Sequence, residues 1–133
     1  LHIYIGKNKP LGLQLTQCAA DQGYGQANYE LATYHELIKP NFPKALKHYQ
    51  IALSQGHNTS GRIMRRVFNA KTSPHNAMWY KPSEQLYTIY NNLYQQLLIN
   101  SDLRFPALMK DYPLPPHPTQ GYDADRPSWK PEQ

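Results

Sequence analysis

Six histidines are the side chains here best able to hold a metal or move a proton near neutral pH: His2, His35, His48, His57, His75 and His117. A helix-borne metal site needs two of them three or four positions apart, and no pair has that spacing. Cys18 stands beside Ala19 and Ala20 at an apolar helical position, the setting of a buried structural thiol rather than an activated nucleophile. As the single cysteine, it also excludes an internal disulfide and a cysteine-based zinc cage. The nine acids include no pair placed for concerted acid–base work on one helix. Asp123 and Asp125 lack the flanking ligands of a calcium loop. No glycine-rich phosphate loop is present. The residues point away from an enzyme and imply no cofactor and no metal.

Binding chemistry remains, and arginine is its main carrier. Arg62, Arg65 and Arg66 lie close together in a stretch, Leu37 to Ser83, that has no Asp or Glu but also holds Lys39, Lys44, Lys47, Lys71 and Lys81. The formal charge is +5. A guanidinium fork meets a carboxylate through two hydrogen bonds, so this cationic middle suits an acidic protein partner. The same charges would also serve as a solvated face that keeps the chain soluble. Tyr24, Asn28 and Thr33, on the preceding helix and its approach, are expected to add neutral contacts. Nucleic acid is not expected as a partner. No reading motif occurs, and Tyr29, Tyr49, Tyr90 and Tyr94 fall at core-facing positions instead of a stacking surface.

These residues need helices to hold them, and the spacing supplies helices. Asn8 to Gly23 can be laid over Asn41 to Gly56 at an offset of 33, with Pro10 matching Pro43, Leu13 matching Leu46, Gln17 matching Gln50 and Ala19 matching Ala52. That period is the size of a helix-turn-helix unit in a solenoid. Proline opens each segment and glycine closes it, as helix ends prefer. Ala27, Leu31, Tyr34 and Leu37 recur at helical spacing between the two segments. The pattern predicts helices near 10–22, 26–37, 43–55 and 59–70. A further amphipathic helix is expected at about 83–99, with Leu86, Ile89, Tyr90, Leu93, Tyr94, Leu97 and Leu98 as its apolar stripe.

Length and composition set the bounds. A chain of 133 residues, 40% hydrophobic and 17% charged, has room for one small domain or a short helical array. Seven of twelve prolines lie at or beyond Pro106. They forbid regular helix over 111–133, leaving an extended tail that Tyr112, Tyr122 and Trp129 would dock onto the helices. No run of about 18 apolar residues exists to span a membrane. The chain opens on Leu1 and apolar His2-Ile3-Tyr4-Ile5, read as the cut or processed end of a longer protein. The periplasm, with a lipoprotein anchor upstream, is expected over the cytoplasm.

Ala27-Asn28-Tyr29-Glu30-Leu31-Ala32, Lys44-Ala45-Leu46-Lys47-His48-Tyr49-Gln50-Ile51-Ala52 and Gln55-Gly56-His57 together resemble a Sel1-like repeat, a relative of the tetratricopeptide repeats. The likeness covers about residues 8–57 and implies that His48 and His57 are structural. In the following half-repeat Ser60, Arg62 and Arg65 stand where Ala27, Tyr29 and Ala32 stood. A guanidinium cannot enter a site shaped for a methyl group, so the solenoid is expected to end there. Gln85-Leu86-Tyr87, Arg104-Phe105-Pro106 and Leu114-Pro115-Pro116 resemble a C-terminal module that follows Sel1-like repeats in bacteria. The expected division is a repeat region over 1–70, read as the C-terminal part of a longer array, and a capping module over 71–133. The fold class is all-α: a short solenoid of helical hairpins closed by an amphipathic helix and an extended Pro-rich tail. Such proteins are often encoded as immunity partners of secreted antibacterial toxins, including type VI secretion effectors. The resemblance thus implies an immunity protein that sequesters its toxin. A scaffold or adaptor for a secretion, envelope or signalling complex is the alternative.

Overall fold

Glycine and asparagine punctuate the chain where the sequence pattern places helix ends. The computed structural model describes residues 9–69 and 80–115, which form α1 (Lys9–Asp21), α2 (Gly25–Thr33), a π-helical turn (Tyr34–Ile38), α3 (Phe42–Ser54), α4 (Asn58–Val67), α5 (Glu84–Ile99) and α6 (Leu108–Asp111). No strand occurs among the described residues. Each of α1 to α4 packs on the next, α4 packs on α5, and α6 returns to α3.

The 33-residue period is visible in the backbone. Gly23 and Gly56 hold φ at +92° and +89°, the left-handed region that glycine enters without a Cβ penalty. At the first, Tyr24 N–H reaches the Ala19 carbonyl (3.2 Å) and Gly23 N–H reaches Ala20 (3.0 Å). At the second, His57 N–H reaches Ala52 (3.0 Å) and Gly56 N–H reaches Leu53 (2.9 Å). Both are Schellman caps, one period apart. The starts are capped by side chains. Asn41 Oδ1 accepts from Lys44 N–H at 3.2 Å, and Ser83 Oγ accepts from Leu86 N–H at 3.2 Å.

Small residues let these helices approach. Ala32, Ala45 and Ala52 are fully buried, and a Cβ on Gly61 would press on Leu53 and Tyr94 at 3.0 and 3.2 Å. Leu46, Tyr49, Leu53, Met64, Phe68 and Tyr90 fill the main core around them. Phe68 stacks on Tyr90 at 5.9 Å between ring centres and tilts against Tyr80 at 5.8 Å. Gln50, itself buried, donates through Nε2 to the Tyr90 hydroxyl (3.0 Å) and the Tyr112 carbonyl (2.8 Å), so α3 holds both α5 and the segment after α6.

Several expectations change. The helix predicted over 26–37 stays α-helical to Thr33 and then widens into the π-helical turn, closed by Lys39 N–H on the Tyr34 carbonyl (3.0 Å). Pro40 follows and has no N–H to continue a helix. Cys18 is exposed, not buried. Leu13, Thr16 and Ala20 supply the inward face of α1, and position 18 falls on the other side. Leu98 is also outside the expected stripe at 53% exposed, because Tyr90 and Leu97 define the α5 face that meets the core. The helix α6 stands at the head of what the prolines marked as extended. Leu114 packs against the core, while Tyr122 and Trp129 lie outside the described residues.

Candidate functional site

The helix α4 is strongly two-faced. Ser60, Gly61, Met64 and Val67 turn inward, while Thr59, Arg62, Ile63 and Arg66 follow i, i+3, i+4, i+7 spacing along the opposite side. With Tyr29 from α2, Arg65 from α4 itself, Asn69 just after it and Tyr87 from α5, those four line a cleft of ≈ 510 Å³. Among its lining residues there is no acid. Tyr29, Tyr87 and Ile63 are its aromatic and aliphatic lining, and the guanidiniums are its charge.

The three arginines do different work. Arg65 is half-buried: Nη1 donates to Asn91 Oδ1 at 2.6 Å, and the guanidinium carbon lies 4.6 Å from the centre of the Tyr94 ring. Arg62 and Arg66 are exposed at one helical turn from each other. The structure thus brings together the three arginines expected from sequence. Tyr29, Thr59, Ile63, Asn69 and Tyr87 are the cleft residues that sequence reasoning did not assign to it. Thr59 and Ile63 were within reach of helical spacing from Arg62. Tyr29 and Tyr87 arrive from other helices and carry no local signal.

The neutral residues expected beside them do not join the cleft. Asn28 is a correction: it is 3% exposed and cannot meet a partner. Its Oδ1 faces His48 Nδ1 at 3.1 Å, and its Nδ2 donates to Gln55 Oε1 at 3.0 Å and the Ala20 carbonyl at 3.5 Å. These bonds satisfy a buried amide that would otherwise be costly. Thr33 is half-buried and donates to the Tyr29 carbonyl at 3.0 Å. Tyr24 is exposed at the start of α2, where its carbonyl accepts from Ala27 and Asn28 N–H. Neither Thr33 nor Tyr24 lines the cleft.

The two central histidines belong to the repeat junctions. His57 caps α4: Nδ1 accepts from Ser60 N–H at 3.3 Å, so the ring proton sits on Nε2 and is donated to Gln26 Oε1 at 2.9 Å. Its ring stacks on Tyr29 at 4.6 Å. Burial pushes the His57 imidazole below its ordinary 6.5. His48 is held down to about 4, first by burial and then by His35, whose ring stacks on it at 5.8 Å, with Lys47 and Lys44 adding to the effect and Asp21 opposing it. Tyr49 donates to Glu36 Oε1 at 2.6 Å, and burial with that bond raises its phenol. Among the described residues, no group of three His, Cys, Asp or Glu side chains is gathered to hold a metal ion.

Solved structures from Pseudomonas aeruginosa share this fold. The chain is similar to immunity protein Pa5087 at 52% identity with a TM-score of 0.85, over 96% of this chain and 48% of that one. It is similar to PA5086 at 54% identity and a TM-score of 0.85, covering 94% and 47% of the two chains. It is similar to immunity protein PA5088 at 52% identity and a TM-score of 0.85, covering 95% and 48%. The chain therefore spans about half the length of the proteins it matches. No protein-family model and no curated protein matches the chain.

Proposed function

We propose that this chain acts in an immunity protein, binding and neutralising a secreted antibacterial effector delivered by type VI secretion. The observation that carries the reading is the 52% identity over nearly the whole chain to proteins named as immunity proteins. The cationic cleft supports it, since stacked helices give a preformed surface and binding need not order a loop. In this reading the hairpins are Sel1-like repeats, the partner is a protein with an acidic surface, and the chain performs no catalysis itself. The compartment that goes with it is the bacterial periplasm.

The experiment is co-expression of the chain with secreted effectors encoded in the same genome. Rescue of growth, together with a stoichiometric complex of the purified proteins, is expected. A poisoned culture despite abundant folded chain, or two proteins that elute separately, would count against the proposal. Fractionation of cells expressing the native gene checks the compartment.

A further inference from the structure

In the row of helices α3 lies between α2 and α4, and α1 packs on α2. We infer that the outer face of α1 seats another helix of the same polypeptide, the one a preceding repeat would supply, built like residues 25–38. This goes beyond the immunity reading and uses nothing from it.

The template is the face that α3 turns to α2 and the π-helical turn. His48 Nδ1 lies 3.1 Å from Asn28 Oδ1, and its ring stacks on His35. Tyr49 donates to Glu36, and the Ala52 carbonyl stands 3.3 Å from where a Cβ on Gly25 would be. Gln55 Oε1 accepts from Asn28 Nδ2 at 3.0 Å. One period earlier these four positions are Leu15, Thr16, Ala19 and Gln22. Thr16 stays buried, but the other three lose cover. Half-buried His48 becomes Leu15 at 62% exposed, Ala52 with no exposed surface becomes half-buried Ala19, and half-buried Gln55 becomes exposed Gln22. Ile51 and Cys18, at the rim of the same face, differ in the same way. Withdrawing Leu15 from water favours a neighbour here, and the small residue at 19 gives that neighbour's backbone room to approach.

What covers the face can be read from α2. A small residue in the place of Gly25 would lie on the Ala19 carbonyl, and an amide in the place of Asn28 would donate to Gln22. Leu15, standing for His48, exchanges a polar contact for apolar burial. The sequence carries the period further: at the offset of 33, His35 falls on His2 and Ile38 on Ile5. The similar solved structures are about twice as long as this chain, so proteins of this fold carry polypeptide beyond the matched part. A second copy would instead set α1 against α1 across a two-fold axis, and the α2–α3 contact is no template for that.

The test uses the full-length protein, purified without an effector. Leu15 and Leu37 are 62% and 66% exposed, so hydroxyl radicals should label them alike if α1 is bare. A seated helix should bring Leu15 below about half the Leu37 rate, as befits a leucine withdrawn from water. Leu15→p-benzoylphenylalanine should then crosslink, within one polypeptide, to the segment one period ahead of residues 25–38. Should that variant fail to fold, labelling of the wild type still decides. Equal labelling of the two leucines overturns the inference. So does protection that fades on dilution, a crosslink to a second copy, or a full-length product with no helix in that segment. With no effector present, none of these outcomes touches the immunity reading.

Discussion

The guanidinium of Arg65 lies over the Tyr94 ring, 4.6 Å from its centre, while its Nη1 donates to Asn91 at 2.6 Å. Position 65 is the equivalent of Ala32 one repeat earlier, and Ala32 is fully buried. One position therefore fills a methyl-sized gap in the first unit and anchors α5 in the second. Arg65→Met keeps the aliphatic stem and removes the cation. It should cost about 1–3 kcal/mol, combining a cation–π contact with a charge-assisted hydrogen bond. Arg62→Met should stay within about 0.5 kcal/mol. Urea denaturation of the two variants separates anchor from surface charge; equal losses would contradict the division.

Ala52 has no exposed surface, and its carbonyl stands 3.3 Å from where a Cβ on Gly25 would be. Ala52→Leu should overpack the α2–α3 contact and lower stability by about 1–3 kcal/mol. A melting temperature equal to wild type would show that the two helices have slack.

Gly23 and Gly56 share a backbone conformation but not surroundings. A Cβ on Gly23 would meet only Gln55 Nε2, at 3.9 Å, whereas one on Gly56 would run into the Arg104 guanidinium. Gly23→Ala should cost about 1–2 kcal/mol from the left-handed backbone alone. Gly56→Ala should cost about as much, because the exposed Arg104 guanidinium is the far end of a flexible side chain and can swing aside. Chemical denaturation of the two variants compares the losses; a much larger loss at Gly56 would show that Arg104 is held in place.

His57 and His48 are both held below their ordinary pKa of 6.5, His48 to about 4. The folded chain thus favours their neutral forms, and the unfolded chain binds more protons as pH falls below 6.5. Their contribution to stability is complete above about pH 6.5 and is lost progressively toward pH 4. Protonating His57 also puts a proton on Nδ1, where Ser60 N–H now donates. His57→Asn keeps a capping acceptor without a titrating ring, so its melting temperature should fall less steeply between pH 6.5 and 4. Parallel curves for wild type and variant would exclude His57 as a source of the slope.

Helix ends were legible because their signals are local. Pro43 near the start of α3, Asn41 before it and Gly56 after it act within a turn of the residues they affect. The arginine trio was legible as charge for the same reason. Asn28 was not, since a neutral polar residue on a helix looks solvent-facing until His48 and Gln55, 20 and 27 positions away, close over it. The aromatic side of the cleft was hidden likewise. Tyr29 and Tyr87 become neighbours of α4 only through helix packing, to which sequence spacing is blind. Wider winding at Tyr34–Ile38 and the four-residue α6 depend on tertiary partners more than on propensity.

The amide of Gln50 reaches partners 40 and 62 positions further along the chain. In a linear array whose units touch only their neighbours, either end can fray without consulting the other. Here the last described segment is fastened to the third helix, so peeling it away uncovers a buried amide in the middle of the molecule. The clasp converts a row of hairpins into a closed circuit of contacts. It raises the mean sequence separation of those contacts and slows the search for the native state. In exchange, loosening the last described segment disturbs the third helix, so a load on that end is shared with the middle of the molecule.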